Sequence, residues 1–153
     1  MKVELWYSGA ETSAHLQKEI EVFQKRLKKY LPFATQLIHT AKTKNPEQRM
    51  EKEKDQVRKH LKPGDYLVLL DEHGKEFTSK TFAEHLQHLF NQGRQRLIFL
   101  AGSSHGFHEE LQSKADEKVA LSQMTFNHEH TRLIFTEQLY RCMTIIHNEP
   151  YHH

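Results

Sequence analysis

Apolar positions recur along the chain with two alternating periods. From Lys2 to Ser8, residues Val3, Leu5 and Tyr7 fall on one side, a strand pattern. From Ser13 to about Leu31, residues Leu16, Ile20, Phe23, Leu27 and Tyr30 recur at spacings of four and three, the stripe of a helix that Pro32 ends. Phe33 to His39 predicts a second strand. Asn45-Pro46-Glu47 opens a helix to Leu61 with a capping side chain, a first-turn proline and an acid. Its apolar stripe is thin: Met50, Val57 and Leu61. Tyr66 to Leu70 and Leu97 to Ala101 are continuous apolar runs, the mark of strands buried on both faces of a parallel sheet. Asp71-Glu72-His73-Gly74 reads as a turn, and Phe82, Leu86, Leu89 and Phe90 as the stripe of a helix capped by Thr78 or Ser79. A short helix from about Glu109 to Asp116, a short strand at Val119-Ala120-Leu121 and a last helix from about His130 to His147 complete the series. Strand alternating with helix five times predicts an α/β fold with a mostly parallel sheet and flanking helices. Ligands of such sheets bind beyond the carboxyl ends of the strands, which directs attention to the loops after Leu70, Ala101 and Leu121.

Composition narrows the class. A chain of 153 residues with 37% hydrophobic and 27% charged positions predicts one globular domain, 1–153, with a real core. No apolar run approaches the ~20 residues of a membrane span. The N-terminus lacks the apolar core of a signal peptide. A single cysteine, Cys142, predicts a reducing, cytoplasmic setting. The net charge of +2 makes no strong demand for nucleic acid, although Lys25, Arg26, Lys28 and Lys29 and the stretch Lys42 to Lys62 offer a basic face. The 13 histidines include ligand-like pairs (His85 and His88, His105 and His108, His128 and His130, His152 and His153). With no HExxH and no cysteine cluster, paired surface histidines are the plainer reading, and no metal is expected. Gly102-Ser103-Ser104 is neither a dinucleotide fingerprint nor a P-loop, but it puts small side chains directly after a buried strand.

From Leu67 onward the chain resembles the RlmH-type methyltransferases of the SPOUT class, which act on ribosomal RNA. The resemblance rests on pieces in one order: Leu69-Leu70-Asp71-Glu72-His73-Gly74-Lys75; the Gly102 loop; Leu121-Ser122-Gln123-Met124-Thr125-Phe126; His128 with Arg132; Glu137-Gln138-Leu139-Tyr140-Arg141; and Pro150-Tyr151-His152. It implies a C-terminal trefoil knot, a homodimer with the active site at the subunit interface, and S-adenosylmethionine as cofactor. The cofactor-binding positions would be Leu70, Gly102, Leu121, Ser122, Gln123, Met124, Thr125 and Phe126. The implied reaction is methylation of N3 of a pseudouridine in the helix 69 stem-loop of 23S rRNA, on the assembled ribosome. The implied catalytic residues are His128 as proton acceptor or substrate positioner, Arg132 for substrate or phosphate, and Glu137, which with Arg141 would order the site across the dimer. Arg141, Tyr151 and His152 would meet the substrate. Two positions depart from the family pattern: Ser103 stands where a glycine is usual, and His153 where a lysine or arginine often follows Tyr-His. The competing readings are a knotted RNA-binding protein without methyl-transfer activity and a small metalloprotein built on the histidine pairs.

Overall fold

The computed structural model describes residues 1–103 and 105–153; Ser104 of the loop named above lies outside the described residues. The element order is β1 (Lys2–Ser8), α1 (Ala14–Leu27), β2 (Phe33–Ile38), α2 (Pro46–His60), β3 (Tyr66–Glu76), α3 (Ser79–Phe90), β4 (Arg96–Ala101), α4 (Glu109–Lys114), β5 (Glu117–Ala120) and α5 (His128–Ile146). The strands form one parallel sheet in the order β2-β1-β4-β3-β5. This is the α/β architecture with a parallel sheet that the alternating pattern predicts.

Alternation within the strands sorts the core into two layers. Val3, Leu5, Val68, Leu70, Leu97 and Phe99 pack on one face against α1, α3 and α5, including Leu27, Leu86, Phe135 and Leu139. Trp6, Leu67, Leu69, Ile98 and Leu100 point the other way, onto Val57 of α2 and Leu111 of α4. Both sheet faces are covered, which is why β3 and β4 read as unbroken apolar runs.

Four departures from the pattern-based expectation have a clear local reason. Helix α1 stops at Leu27; Lys28 to Leu31 wind as turns, closed by bonds from the Tyr30 and Leu31 N–H groups to the Leu27 carbonyl. Pro32 disfavours helical geometry at the residue before it. Helix α5 starts at His128 rather than His130 because Asn127 is its cap, its side chain accepting from the Glu129 N–H at 2.9 Å. Strand β5 starts and ends earlier than the Val119-Leu121 run, since Glu117 and Lys118 already pair with β3.

The fourth difference is the largest. Asp71 to Gly74 is not a turn that ends the strand: β3 runs on to Glu76, with an irregularity between Leu70 and Lys75 that lets both residues pair with Val119. Gly74 permits this because a Cβ there would lie 2.7 Å from the Lys118 carbonyl carbon and the Val119 nitrogen. The extra residues lift Asp71, Glu72 and His73 out over the carboxyl end of the sheet.

The opposite end of the sheet is a charged staple. Arg96, at the start of β4, donates to Asp65 through Nε (2.9 Å) and Nη2, and to the His60 carbonyl at 3.0 Å. Buried Glu4 accepts from Trp6 Nε1 at 2.7 Å and pairs with Lys2 at 2.9 Å.

Candidate active site

A cavity of about 1060 Å³ opens beyond the carboxyl ends of β1, β3, β4 and β5. Leu70 and the lifted Asp71-Glu72-His73 line one wall. Ala101, Gly102, Ser103 and Phe107 line the floor, and Leu121, Ser122, Met124, Thr125 and Phe126 another wall. The start of α5 closes it with Asn127, His128, Thr131 and Arg132. Seven of the eight cofactor positions implied by resemblance therefore converge: Leu70, Gly102, Leu121, Ser122, Met124, Thr125 and Phe126. Gln123 does not line the cavity; its amide donates to Glu76 at 2.8 Å and ties the 121–126 loop to the end of β3. The loop is pinned once more, by Thr125 Oγ1 donating to Glu72, and is braced internally by the Met124 N–H donating to Ser122 Oγ at 2.9 Å. Met124 is 76% exposed at the rim, an apolar side chain with nothing over it in this chain.

Gly102 has a different reason for being small than ligand access alone. The ring of Phe107 sits where a side chain would go. Phe107 is buried with Leu111 and Trp6, so the loop is packed from beneath.

His128, the first residue of α5, holds an exposed ring on the cavity wall. Arg132, one turn on, is 1% exposed. Its guanidinium donates to Thr12 Oγ1 at 2.7 Å, the Ala10 carbonyl at 2.9 Å and the Ser8 carbonyl at 3.4 Å, and lies 4.0 Å from the centre of the Tyr7 ring. Burial pulls its pKa down, while nearby Tyr7, Glu129 and Glu11 oppose that. Arg132 thus holds the β1–α1 loop against α5 and presents an edge to the cavity.

The remaining candidates form a second cluster, away from the cavity. Glu137 Oε1 accepts from Arg141 (Nη2 at 2.6 Å, Nε at 3.0 Å) and from the Tyr151 hydroxyl at 3.0 Å. Arg141 lies 4.8 Å from the Tyr151 ring centre, with its Nη1 3.3 Å from His152 Nδ1. Burial and the Glu137 carboxylate both push the Tyr151 pKa up. The tail is therefore docked against α5. Helix geometry explains the separation: His128 and Glu137 are nine residues apart, about 180° around α5 and about 13 Å along it.

Of the other sequence features, the basic stretch of α2 is partly neutralised in place. Lys54 pairs with Glu51, Asp55 and Glu110, and Arg58 with Glu110 at 2.9 Å. The histidine pairs do not converge: His85 meets Glu117 at 2.8 Å, whereas His108 meets Glu51 at 3.0 Å and caps α4. Among the described residues, no group of three or more His, Cys, Asp or Glu is placed to hold a metal ion, and no helix is long and apolar enough to cross a membrane.

Pattern reading passed over one residue of this region. Glu53 of α2 is fully buried and accepts from Ser8 Oγ. It lies three residues after Met50 and four before Val57, on the helix's own apolar stripe, and that misplaced charge was the available signal.

The amino-acid sequence matches known proteins along its whole length. The family model described as "Predicted SPOUT methyltransferase" matches residues 1–152. The ribosomal RNA large subunit methyltransferase H of Parabacteroides distasonis is 44% identical over 156 residues, covering 100% of this chain and 99% of that protein. Those of Christiangramia forsetii and Bacteroides thetaiotaomicron are 42% and 40% identical with the same coverage. With its parallel sheet, its cavity at the strand ends and this full-length match, the chain belongs to the SPOUT methyltransferase family.

Proposed function

We propose that this chain is a single-domain methyltransferase, residues 1–153, that transfers a methyl group from S-adenosylmethionine to N3 of a pseudouridine in helix 69 of 23S rRNA. It works in the cytoplasm on the assembled ribosome, as a homodimer whose C-terminal segment forms a trefoil knot. The observation that carries the reading is the convergence of Leu70, Gly102 and the 121–126 loop on one cavity next to His128. Relatives bearing the name of a ribosomal RNA large subunit methyltransferase, at 40% to 44% identity, support the substrate class.

The cavity suits the donor. Its size is that of a cofactor site, and Leu70, Leu121, Met124 and Phe126 offer apolar contact to an adenine ring. Asp71 and Glu72 at the lip favour a ligand carrying sulfonium and ammonium charges. When bound, S-adenosylmethionine supplies an electrophilic methyl group. The protein's task is the imide N3–H of the target base, which must lose its proton to become a nucleophile. His128, exposed at the first turn of α5, accepts that proton. The Arg132 guanidinium, fixed by Ser8, Ala10 and Thr12, adds positive potential for the developing anion without having to reorganise.

The cluster of Glu137, Arg141, Tyr151 and His152 faces away from its own cavity, which supports a site completed by the partner's Arg141, Tyr151 and His152. There Tyr151 and His152 stack on or bind the flipped nucleotide, and Glu137 orders Arg141 for its phosphate.

The test is methyl transfer from labelled S-adenosylmethionine to ribosomes lacking this modification, followed by mass mapping of the helix 69 fragment. One methyl group at N3 of the pseudouridine is expected, lost in His128→Ala and in Arg141→Ala. Mixing the two inactive variants restores part of the activity if the site is shared between protomers. Donor binding without any methylation of 23S rRNA refutes the substrate, and unmodified RNA together with no donor binding favours an RNA-binding protein without transfer activity.

A further inference from the structure

The chain reverses sharply at the end of α5. His147 caps the helix and Asn148 takes the left-handed conformation, with φ of 55°. The Asn148 N–H donates to the Ile145 carbonyl at 3.1 Å, and the Glu149 N–H to the Thr144 carbonyl at 2.8 Å. These two bonds make a Schellman closure, whose left-handed position accepts asparagine when glycine is absent. Pro150 then keeps the chain from resuming a helix. The reversal sends Tyr151 and His152 back along α5 to Glu137 and Arg141.

In such a closure an apolar residue commonly follows the left-handed one and packs on the helix. Here that residue is Glu149, and a different element holds its carboxylate. Tyr30, in the turn after α1, donates its hydroxyl to Glu149 Oε2, and Lys29 Nζ lies 3.5 Å from the same oxygen. The Tyr30 hydroxyl and Lys29 hold the Glu149 carboxyl below its ordinary range. Tyr30 is itself seated in rings, with its centre 4.9 Å from that of His147 and 6.2 Å from that of Tyr140. Tyr140 in turn meets the Tyr151 ring at 4.7 Å. The Tyr151 N–H donates to the Glu149 carbonyl at 3.0 Å, so the anchored residue and Tyr151 are joined by one hydrogen bond. Chain ends fray unless they are tied down. This one is tied to two elements, to the turn after α1 through Glu149 and to α5 through Tyr151.

We propose that Tyr30 and Glu149 are positioning residues: their contact latches the chain reversal after α5 and so holds Tyr151 and His152 ready for the nucleotide. The proposal rests on the reading of Tyr151 and His152 as substrate-binding residues. Neither Tyr30 nor Glu149 meets the substrate; the latch acts by ordering the tail before binding, which lowers the entropy cost of association.

The experiment compares Tyr30→Phe, Glu149→Gln and Glu149→Ala. Phenylalanine keeps the ring beside His147 and Tyr140 and loses the donor. Glutamine keeps an oxygen that accepts from Tyr30; alanine keeps none. In free protein, hydrogen exchange at the Glu149 and Tyr151 amides rises about fivefold in Y30F and E149A and stays within about twofold of wild type in E149Q. In methyl transfer, Y30F and E149A raise KM for the ribosome about fivefold, while kcat and KM for S-adenosylmethionine stay within about twofold. The double variant Y30F/E149A is no worse than either single variant, because both remove the same contact. The proposal is overturned if either the exchange or the ribosome KM is unchanged in Y30F and E149A, if E149Q falls with E149A, or if the two single losses add in full. Wild-type protein that methylates no ribosome refutes the substrate reading instead, and the exchange comparison in free protein then decides the latch.

Discussion

The ring of Phe107 fills the space that a side chain at Gly102 would take: a Cβ there would stand 2.5 Å from Phe107 Cε1 and 2.9 Å from Cζ. Gly102 and Phe107 are thus one packing unit, five residues apart, that shapes the turn after β4. Gly102→Ala is expected to push the ring or the loop aside, cost about 1–3 kcal/mol of stability and weaken ligand binding in the cavity. The double variant Gly102→Ala/Phe107→Leu, with a smaller side chain beneath the loop, recovers part of both. Thermal melting with and without S-adenosylhomocysteine measures this. A G102A protein that melts and binds like wild type would show that the loop accommodates the methyl group freely.

Arg132 ties three separate acceptors, at the end of β1 and in the loop after it, to α5. Arg132→Leu leaves the Ser8 and Ala10 carbonyls and Thr12 Oγ1 without their donor, at a cost of about 3 kcal/mol. Lysine offers a compact ammonium in place of the planar fork, so R132K recovers part of the loss only. Thr12→Val removes a single contact and costs about 1 kcal/mol. Urea unfolding ranks the three. Equal stability of R132L and T12V would mean that the two carbonyl contacts contribute nothing.

Much of this was legible in the chain. The strand–helix alternation, the doubly buried β3 and β4 and the loops that meet at the cavity all follow from period and flanking residues, because local pattern dictates them. What stayed hidden depends on contacts between distant elements. The lift of Asp71 to Gly74 needs the backbone of Lys118 and Val119 close against Gly74, which no local signal records. The docking of Tyr151 on Glu137 joins residues 14 apart across the end of a helix, a contact that no local pattern records. Asn127, by contrast, is an ordinary capping residue that the helix stripe, starting late at Ile134, concealed. Splitting the candidates into a cavity group and a tail group required only the helical angle between His128 and Glu137, once the start of α5 was known.

Cys142 is fully buried on α5, with its thiol directed at the Ser79 carbonyl at 3.6 Å. Burial, reinforced by Glu137 and opposed by Arg141, pushes its pKa up to about 12. The thiol is therefore neutral and sheltered, and iodoacetamide at pH 8 labels the native protein only as fast as it opens. A folded-state pKa above the unfolded value contributes stability that is complete below about pH 8.5 and is lost as pH rises toward 12. Cys142→Ala removes that one-proton share of the alkaline slope. Rapid stoichiometric labelling under native conditions would contradict the burial argument.

At the opposite end of the sheet, Asp65 and Arg96 join the starts of β3 and β4 through two hydrogen bonds, while Asp65 also accepts from the Lys62 N–H at 2.7 Å. Burial alone would raise the Asp65 pKa; the Arg96 guanidinium and the Lys62 N–H outweigh it and hold the carboxyl below its ordinary range. A folded-state pKa below the unfolded one contributes stability that is fully present above about pH 4 and is lost as pH falls through the depressed value. Asp65→Asn should therefore cost about 3 kcal/mol at neutral pH, since it leaves Arg96 with the more distant Glu4 at 3.5 Å as its remaining carboxylate. The difference between D65N and wild type should shrink steadily below pH 4, because acid removes the same charge from the wild type. Urea titrations followed by the fluorescence of buried Trp6, which stacks near Arg96 at 5.4 Å, give the curve. A D65N deficit that stays constant down to pH 2 would mean that the contact works through shape and neutral hydrogen bonds, with no contribution from the carboxylate charge.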